Sequence, residues 1–135
     1  MAIRRTDAYR ESIMDAHNTA LGVTAQIQVR SGTNAGTGGQ GTLLAELTGN
    51  AGGWGVSSNG VLTSNAITAD SSADAAGTAG HYQLNTTASV FLESGVIDET
   101  GATDGVALDN LVIALGQTVQ TSGNWVNTAA YDDGV

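Results

Sequence analysis

Gly22 divides the chain into two periodicities, and that division constrains the fold more than any other feature of the sequence. Before it, TDAYRESIMDAHNTAL places Tyr9, Ile13, Ala16 and Ala20 at helical spacings, with Met14 and His17 at the edge of the stripe. Thr6 is positioned as an N-cap and Gly22 as a C-terminal stop, so one amphipathic helix is predicted over residues 6–21. Its apolar stripe needs a surface to cover. The protein's own sheet is the expected one, with a neighbouring subunit as the alternative. After Gly22 the period drops to two. In VTAQIQVR, Val23, Ala25, Ile27 and Val29 alternate with Thr24, Gln26, Gln28 and Arg30, the pattern of a half-buried antiparallel strand.

Further short runs rich in apolar or β-branched residues follow, separated by Gly, Asn, Ser and Asp: TLLAELT, GVLTSNAIT, GHYQLNT, SVFLES, LVIAL, QTVQT and NWVNT. Many short strands with turn signals between them predict a mainly β, single-domain antiparallel β-sandwich, jelly-roll or Ig-like, with one N-terminal α-helix. The division expected is an N-terminal arm and helix over 1–22 and a sandwich over 23–135. Nineteen glycines supply tight turns, and the absence of proline leaves backbone N–H groups free for ladders, so edge protection must come from other devices. The small-residue stretch AITADSSADAAGTAG, residues 66–80, reads as a long surface loop or a segment ordered by a partner.

Charge is segregated. The first thirty positions hold all four arginines, Arg4, Arg5, Arg10 and Arg30, beside Asp7, Glu11 and Asp15, a net of +1; the rest holds ten carboxylates and no Lys or Arg, a net of −10, giving −9 for the whole. An acidic body repels phosphate backbones, so no nucleic-acid partner is expected, except through the basic arm. No apolar run is long enough for a bilayer span, so no membrane partner is expected either. Without cysteine, a disulfide framework and thiolate chemistry are excluded.

Three motifs invite chemistry. Gly36, Gly38 and Gly41 formally match G-x-G-x-x-G after a strand. The dinucleotide mechanism also needs a tight turn directly after the strand, a following helix and a ribose-binding acid about twenty positions on. Here SGTNA intervenes, TLLAELT is cut short by Gly49, the first Asp beyond is Asp70, and no lysine exists for a P-loop. A flexible connection is the expectation. Asp98, Glu99 and Asp104 could hold a cation weakly, as could Asp70 with Asp74 or Asp132 with Asp133, but none matches a calcium loop and solvated turns are expected. The two histidines, His17 and His81, stand near no nucleophile motif, and His81 is expected on a sheet surface or interface. No catalytic residue, metal site, cofactor or small-molecule substrate is predicted, and the chain is read as a non-enzyme. Trp54 and Trp125 read as partly buried anchors, with subunit contact as the competitor.

The order of the helix, IQVRSG, a Gly/Ala/Thr loop, GTLLAEL and SNGVLTSNAITADSSADAAGTAGHYQL resembles a family of small tailed-bacteriophage proteins found among virion structural genes. The resemblance covers residues 25–84; the remainder is similar in style only. It implies a virion component, best matched by a head decoration or cement protein that binds the major capsid protein and copies of itself on the head surface. The alternatives are a tail, fibre or adaptor subunit, or a carbohydrate-binding sandwich module. On this reading Arg4, Arg5 and Arg10 dock to an acidic capsid surface, and Tyr9, Ile13, Trp54 and Trp125 are further candidate capsid or subunit contacts.

Overall fold

The computed structural model describes residues 5–33, 38–50, 52–98 and 105–128. Helix α1 spans Asp7–Leu21, with the Thr6 side chain accepting from the Tyr9 N–H at 3.2 Å. It ends at Gly22, whose φ of +79° suits glycine and where a Cβ would lie 2.5 Å from Thr87 Oγ1. The Thr87 backbone N–H and hydroxyl both donate to the Leu21 carbonyl, at 2.9 and 3.1 Å. The helix end is thereby tied to the body.

The face that α1 buries is not the predicted one. Arg10, Met14 and Leu21 are buried and Ile13, His17 and Asn18 half-buried, whereas Tyr9, Ala16 and Ala20 are exposed. Alanine offers little area, so the orientation follows the residues whose burial removes most surface from water, and the stripe turns by about one residue. Arg10 joins that stripe through its stem, which packs on Gly60.

Among the described residues ten strands form the body: β1 Gln26–Ser31, β2 Leu43–Gly49, β3 Gly55–Ser58, β4 Val61–Ser64, β5 Ile67–Thr68, β6 Gly77–Asn85, β7 Phe91–Asp98, β8 Val106–Ala107, β9 Val112–Ile113 and β10 Val126–Thr128. One seven-stranded sheet runs β5-β2-β1-β6-β7-β8, with β9 also on β6; a second sheet runs β10-β4-β3. The fold is mainly β and sandwich-like, with the N-terminal helix packed on β3 and β4 of the chain's own second sheet. All named pairs are antiparallel except β7 with β8, which is parallel and corrects the expectation of an all-antiparallel body.

Alternation places two rows on the inner face of the large sheet: Leu47, Ile27 and Leu84, and Ala45, Val29 and Tyr82. These join Met14, Leu21, Leu62, Trp54 and Trp125 in one core, so α1 and the strands share it. Val23, the first residue of the predicted alternation, is exposed because β1 starts later, at Gln26.

The sheet edges are covered by the chain itself. Residues 66–80 were expected as a loop or partner-ordered segment; instead β5 pairs with the end of β2, Ala73 is buried, and the Asp74 N–H donates to Leu44 O at 2.8 Å. Asp70 accepts from the Glu46 N–H at 2.9 Å and bridges Val119. Across the molecule, Asn18 donates to the Gly55 carbonyl of edge strand β3 at 3.0 Å. Side-chain caps and a helix replace proline as edge protection. Of the predicted runs, LVIAL shrinks to β9 and QTVQT to isolated bridges, while β3 and β8 carry too little apolar pattern to be read.

Candidate functional site

Three elements meet at an aromatic and polar joint. The His17 ring from α1 stacks on Trp125, centroids 5.7 Å apart and 3° between planes, and Trp54 meets Trp125 edge-on at 5.6 Å. Trp125 Nε1 donates to Tyr82 Oη at 3.1 Å. Its backbone is fixed by Ser64, which donates N–H to its carbonyl at 2.8 Å and accepts its N–H through Oγ at 2.9 Å. Gly95 and Gly105 flank the Tyr82 ring, where a Cβ would come within 2.6 and 3.1 Å of Cε1. Glycine at both places lets the phenol lie flat between β6, β7 and the segment before β8.

At the rim of this joint, Glu93 on β7 accepts from Asn127 Nδ2 at 3.1 Å and lies 3.4 Å from His17 Nε2. The carboxylate favours a charged ring, while burial favours a neutral one. Burial prevails and lowers the His17 pKa below its usual value. Glu93 and Asn127 line a cleft of about 330 Å³ that also touches Tyr82, Val96 and Val126. Glu93 thus ties β7 to β10 through Asn127 and places its carboxylate beside the His17 ring of α1.

A second cleft, about 340 Å³, is lined by Asp109, Asn110 and residues 117–120. Beside it the chain turns at residues 114–117, with Gly116 at φ +81°. That turn is held by Gly116 N–H to Ala73 O at 2.9 Å, Ala73 N–H to Gln117 O at 2.8 Å and Ala114 N–H to Gln117 Oε1 at 2.6 Å. The turn presents Leu115, 70% exposed, and the preceding strand β9 presents Val112, 64% exposed.

The residues expected at a contact surface separate. Trp54 and Trp125 are buried, at 2% and 0% exposure, and hold the core together rather than facing a partner. Arg10 is buried as well and pairs with Asp7 at 3.1 Å, so it offers no docking charge. Ile13 is half-buried on the core. Tyr9 is exposed and Arg5 half-exposed; Arg4 lies outside the described residues. Glu93, Asn127, Val112 and Leu115 carry no motif that would single them out in the sequence; their roles arise from pairing and turn geometry.

His81 is not at a surface: it is buried on β6, with Nδ1 3.1 Å from the Gly32 carbonyl, an acceptor that places the ring proton on Nδ1. The glycine-rich insert joins β1 to β2 as a hairpin and is followed by a strand, not a helix. Gly41 has φ +68°, and a Cβ there would lie 1.9 Å from Ser31 O. Gly39 N–H donates to Gln83 Oε1 at 3.1 Å, so the loop covers the outer, polar face of the sheet. Beneath it Arg30 donates to Gln28 Oε1, and Gln28 to Glu46 Oε2 at 3.0 Å. Gly36 lies outside the described residues.

Among the described residues no cluster of three or more His, Asp or Glu suits a metal ion. Both Asp70 oxygens accept backbone N–H groups, from Glu46 and Ser72, each at 2.9 Å. Asp98 pairs through its backbone with Ala107, while its side chain, Glu99, Asp104, Asp132 and Asp133 lie outside the described residues. No described helix is long and apolar enough to cross a membrane. Comparison with family models, with curated proteins and with solved structures finds no match.

Proposed function

We propose that this chain is a structural protein of a tailed-phage virion, and within that class a head decoration protein that binds the capsid shell. The observation that carries this reading is the outward-facing pair Val112 and Leu115, of which Leu115 sits on a turn whose backbone is held by three hydrogen bonds among residues 73, 114, 116 and 117. A turn whose backbone is ordered before binding loses less entropy on association than a mobile one, which suits a contact element. Two further features support it: the resemblance over residues 25–84 maps onto the continuous run β1 to β6, and the net charge of −9 disfavours adhesion to nucleic acid. Arg4 and Arg5, rather than the buried Arg10, supply the basic docking end.

The test is to mix the purified chain with particles of the phage that encodes it and to locate it by electron microscopy. Shell labelling that is lost in Leu115→Asp and weakened in Arg4→Ala/Arg5→Ala supports the decoration role. Tail labelling would assign it to a tail, fibre or adaptor subunit, and no labelling of either would defeat the virion reading.

A further inference from the structure

Asn59–Gly60 is the single Asn-Gly step in the sequence, and it forms the tip of the β3–β4 hairpin. Asn59 has φ +52° and Gly60 φ +78°, the paired positive values of a two-residue type I′ turn. Asn59 is exposed, beside a shallow cleft that Asp7, Glu11 and Ser57 also line. Gly60 is buried against α1, where a Cβ would meet the Arg10 Cβ at 2.6 Å.

Asparagine before glycine is chemically vulnerable because no Cβ shields the following backbone nitrogen. The Gly60 nitrogen, once it gives up its proton, attacks Asn59 Cγ; the N–Cγ bond forms, the Cγ–Nδ2 bond breaks, and Nδ2 leaves as ammonia carrying that proton. Water then opens the imide at either carbonyl to give aspartate or isoaspartate. Water is the only co-reactant, and nothing is oxidised or reduced.

In the folded chain that nitrogen is engaged. The Gly60 N–H donates to Glu11 Oε2 at 3.0 Å, and the other Glu11 oxygen accepts from Ser57 Oγ at 2.7 Å, so the carboxylate is held in place from both sides. A hydrogen bond to an ionised acceptor makes removal of the donor's proton harder. We propose that Asn59–Gly60 is a deamidation site held shut by Glu11, so that its conversion is coupled to release of α1 from the second sheet. Conversion puts a new carboxylate beside Asp7 and Glu11, and isoaspartate adds a backbone atom to a turn that has no room for it. Both changes oppose redocking of the helix.

The experiment incubates the full chain in mildly alkaline buffer and follows, by mass spectrometry, the replacement of amide by acid in the peptide spanning residues 55–64. The folded wild type should convert far more slowly than the same chain in urea. Glu11→Ala should speed conversion by roughly tenfold, the low end for a lost bond to a charged acceptor because Glu11 is only part buried. Glu11→Gln, which keeps an acceptor oxygen without the charge, should fall between and carries the test if the alanine variant does not fold. Asp15→Ala, which leaves the Gly60 bond and frees the single Ser57 hydroxyl proton for Glu11, should convert no faster than wild type. Folded wild type converting as fast as the urea-unfolded chain overturns the proposal. So does slower conversion in either Glu11 variant, since Glu11 would then be acting as the base.

Discussion

Removing one oxygen, by Tyr82→Phe, tests whether the Trp125–Tyr82 hydrogen bond ties the second sheet to the first. Trp125 is 0% exposed and its Nε1 donates to Tyr82 Oη at 3.1 Å. Phenylalanine fits the same slot between Gly95 and Gly105, so no cavity forms. The change strands a buried indole N–H, which costs about 1–3 kcal/mol. At about 4 °C per kcal/mol for a domain of this size, Tm should fall by roughly 4–12 °C. In a Trp125→Phe background no N–H remains to strand, so the same Tyr82→Phe change should cost about 1–3 kcal/mol less. The coupling energy in the double-mutant cycle is then about 1–3 kcal/mol, and any other contact of the Tyr82 hydroxyl cancels between its two arms. Urea unfolding followed by far-UV circular dichroism measures all four proteins. Costs that add to within about 0.3 kcal/mol would refute the bond as a tie between sheets. Trp54→Phe is the internal control: Trp54 Nε1 has no hydrogen-bond partner among the described residues, so its removal leaves no acceptor unmet.

Other consequences can be measured in the same way. Burial lowers the His17 pKa, so below the ordinary value of 6.5 the unfolded chain binds a proton that the folded chain resists. The His17 contribution is therefore fully present above that pH and is lost as pH falls through the window down to the lowered folded value; His17→Phe, which keeps the stack on Trp125, should flatten the difference between urea midpoints on either side of it. In the β1–β2 loop, Gly39→Ala has open space at φ +78° and should cost about 1 kcal/mol, the left-handed penalty alone. Gly41→Ala adds a collision with the Ser31 carbonyl and should cost more than about 3 kcal/mol; equal Tm losses in the two variants would remove the collision as the cause.

Much of the local structure was legible in the residues themselves. Thr6 and Gly22 mark the ends of α1 because capping and positive φ are properties of single residues. Ala25, Ile27 and Val29 face inward because alternation on a strand is fixed by backbone geometry. The glycine insert was readable as a connection because a phosphate site demands a helix that the next residues cannot form. The face of α1 was not legible, since it depends on which long side chains find a seat, and Arg10 finds one only because Gly60 lacks a Cβ. Trp54 and Trp125 were legible as buried anchors, but their partners, and the burial of His81, were not. Their surroundings come from strands far apart in sequence, and partners such as Ser64 with Trp125 or Gly32 with His81 are chosen by register.

By itself, then, the sequence determined a helix followed by short strands, a thin aliphatic core and an acidic surface, because propensity, period and charge are carried by residues one at a time. Tertiary structure alone decided that a small-residue stretch would seal the edge of β2, that the tryptophans would close the core, and that Val112 and Leu115 would face outward. Each of those outcomes rests on a contact between distant segments, and burial, unlike periodicity, is a property of the pair rather than of either residue.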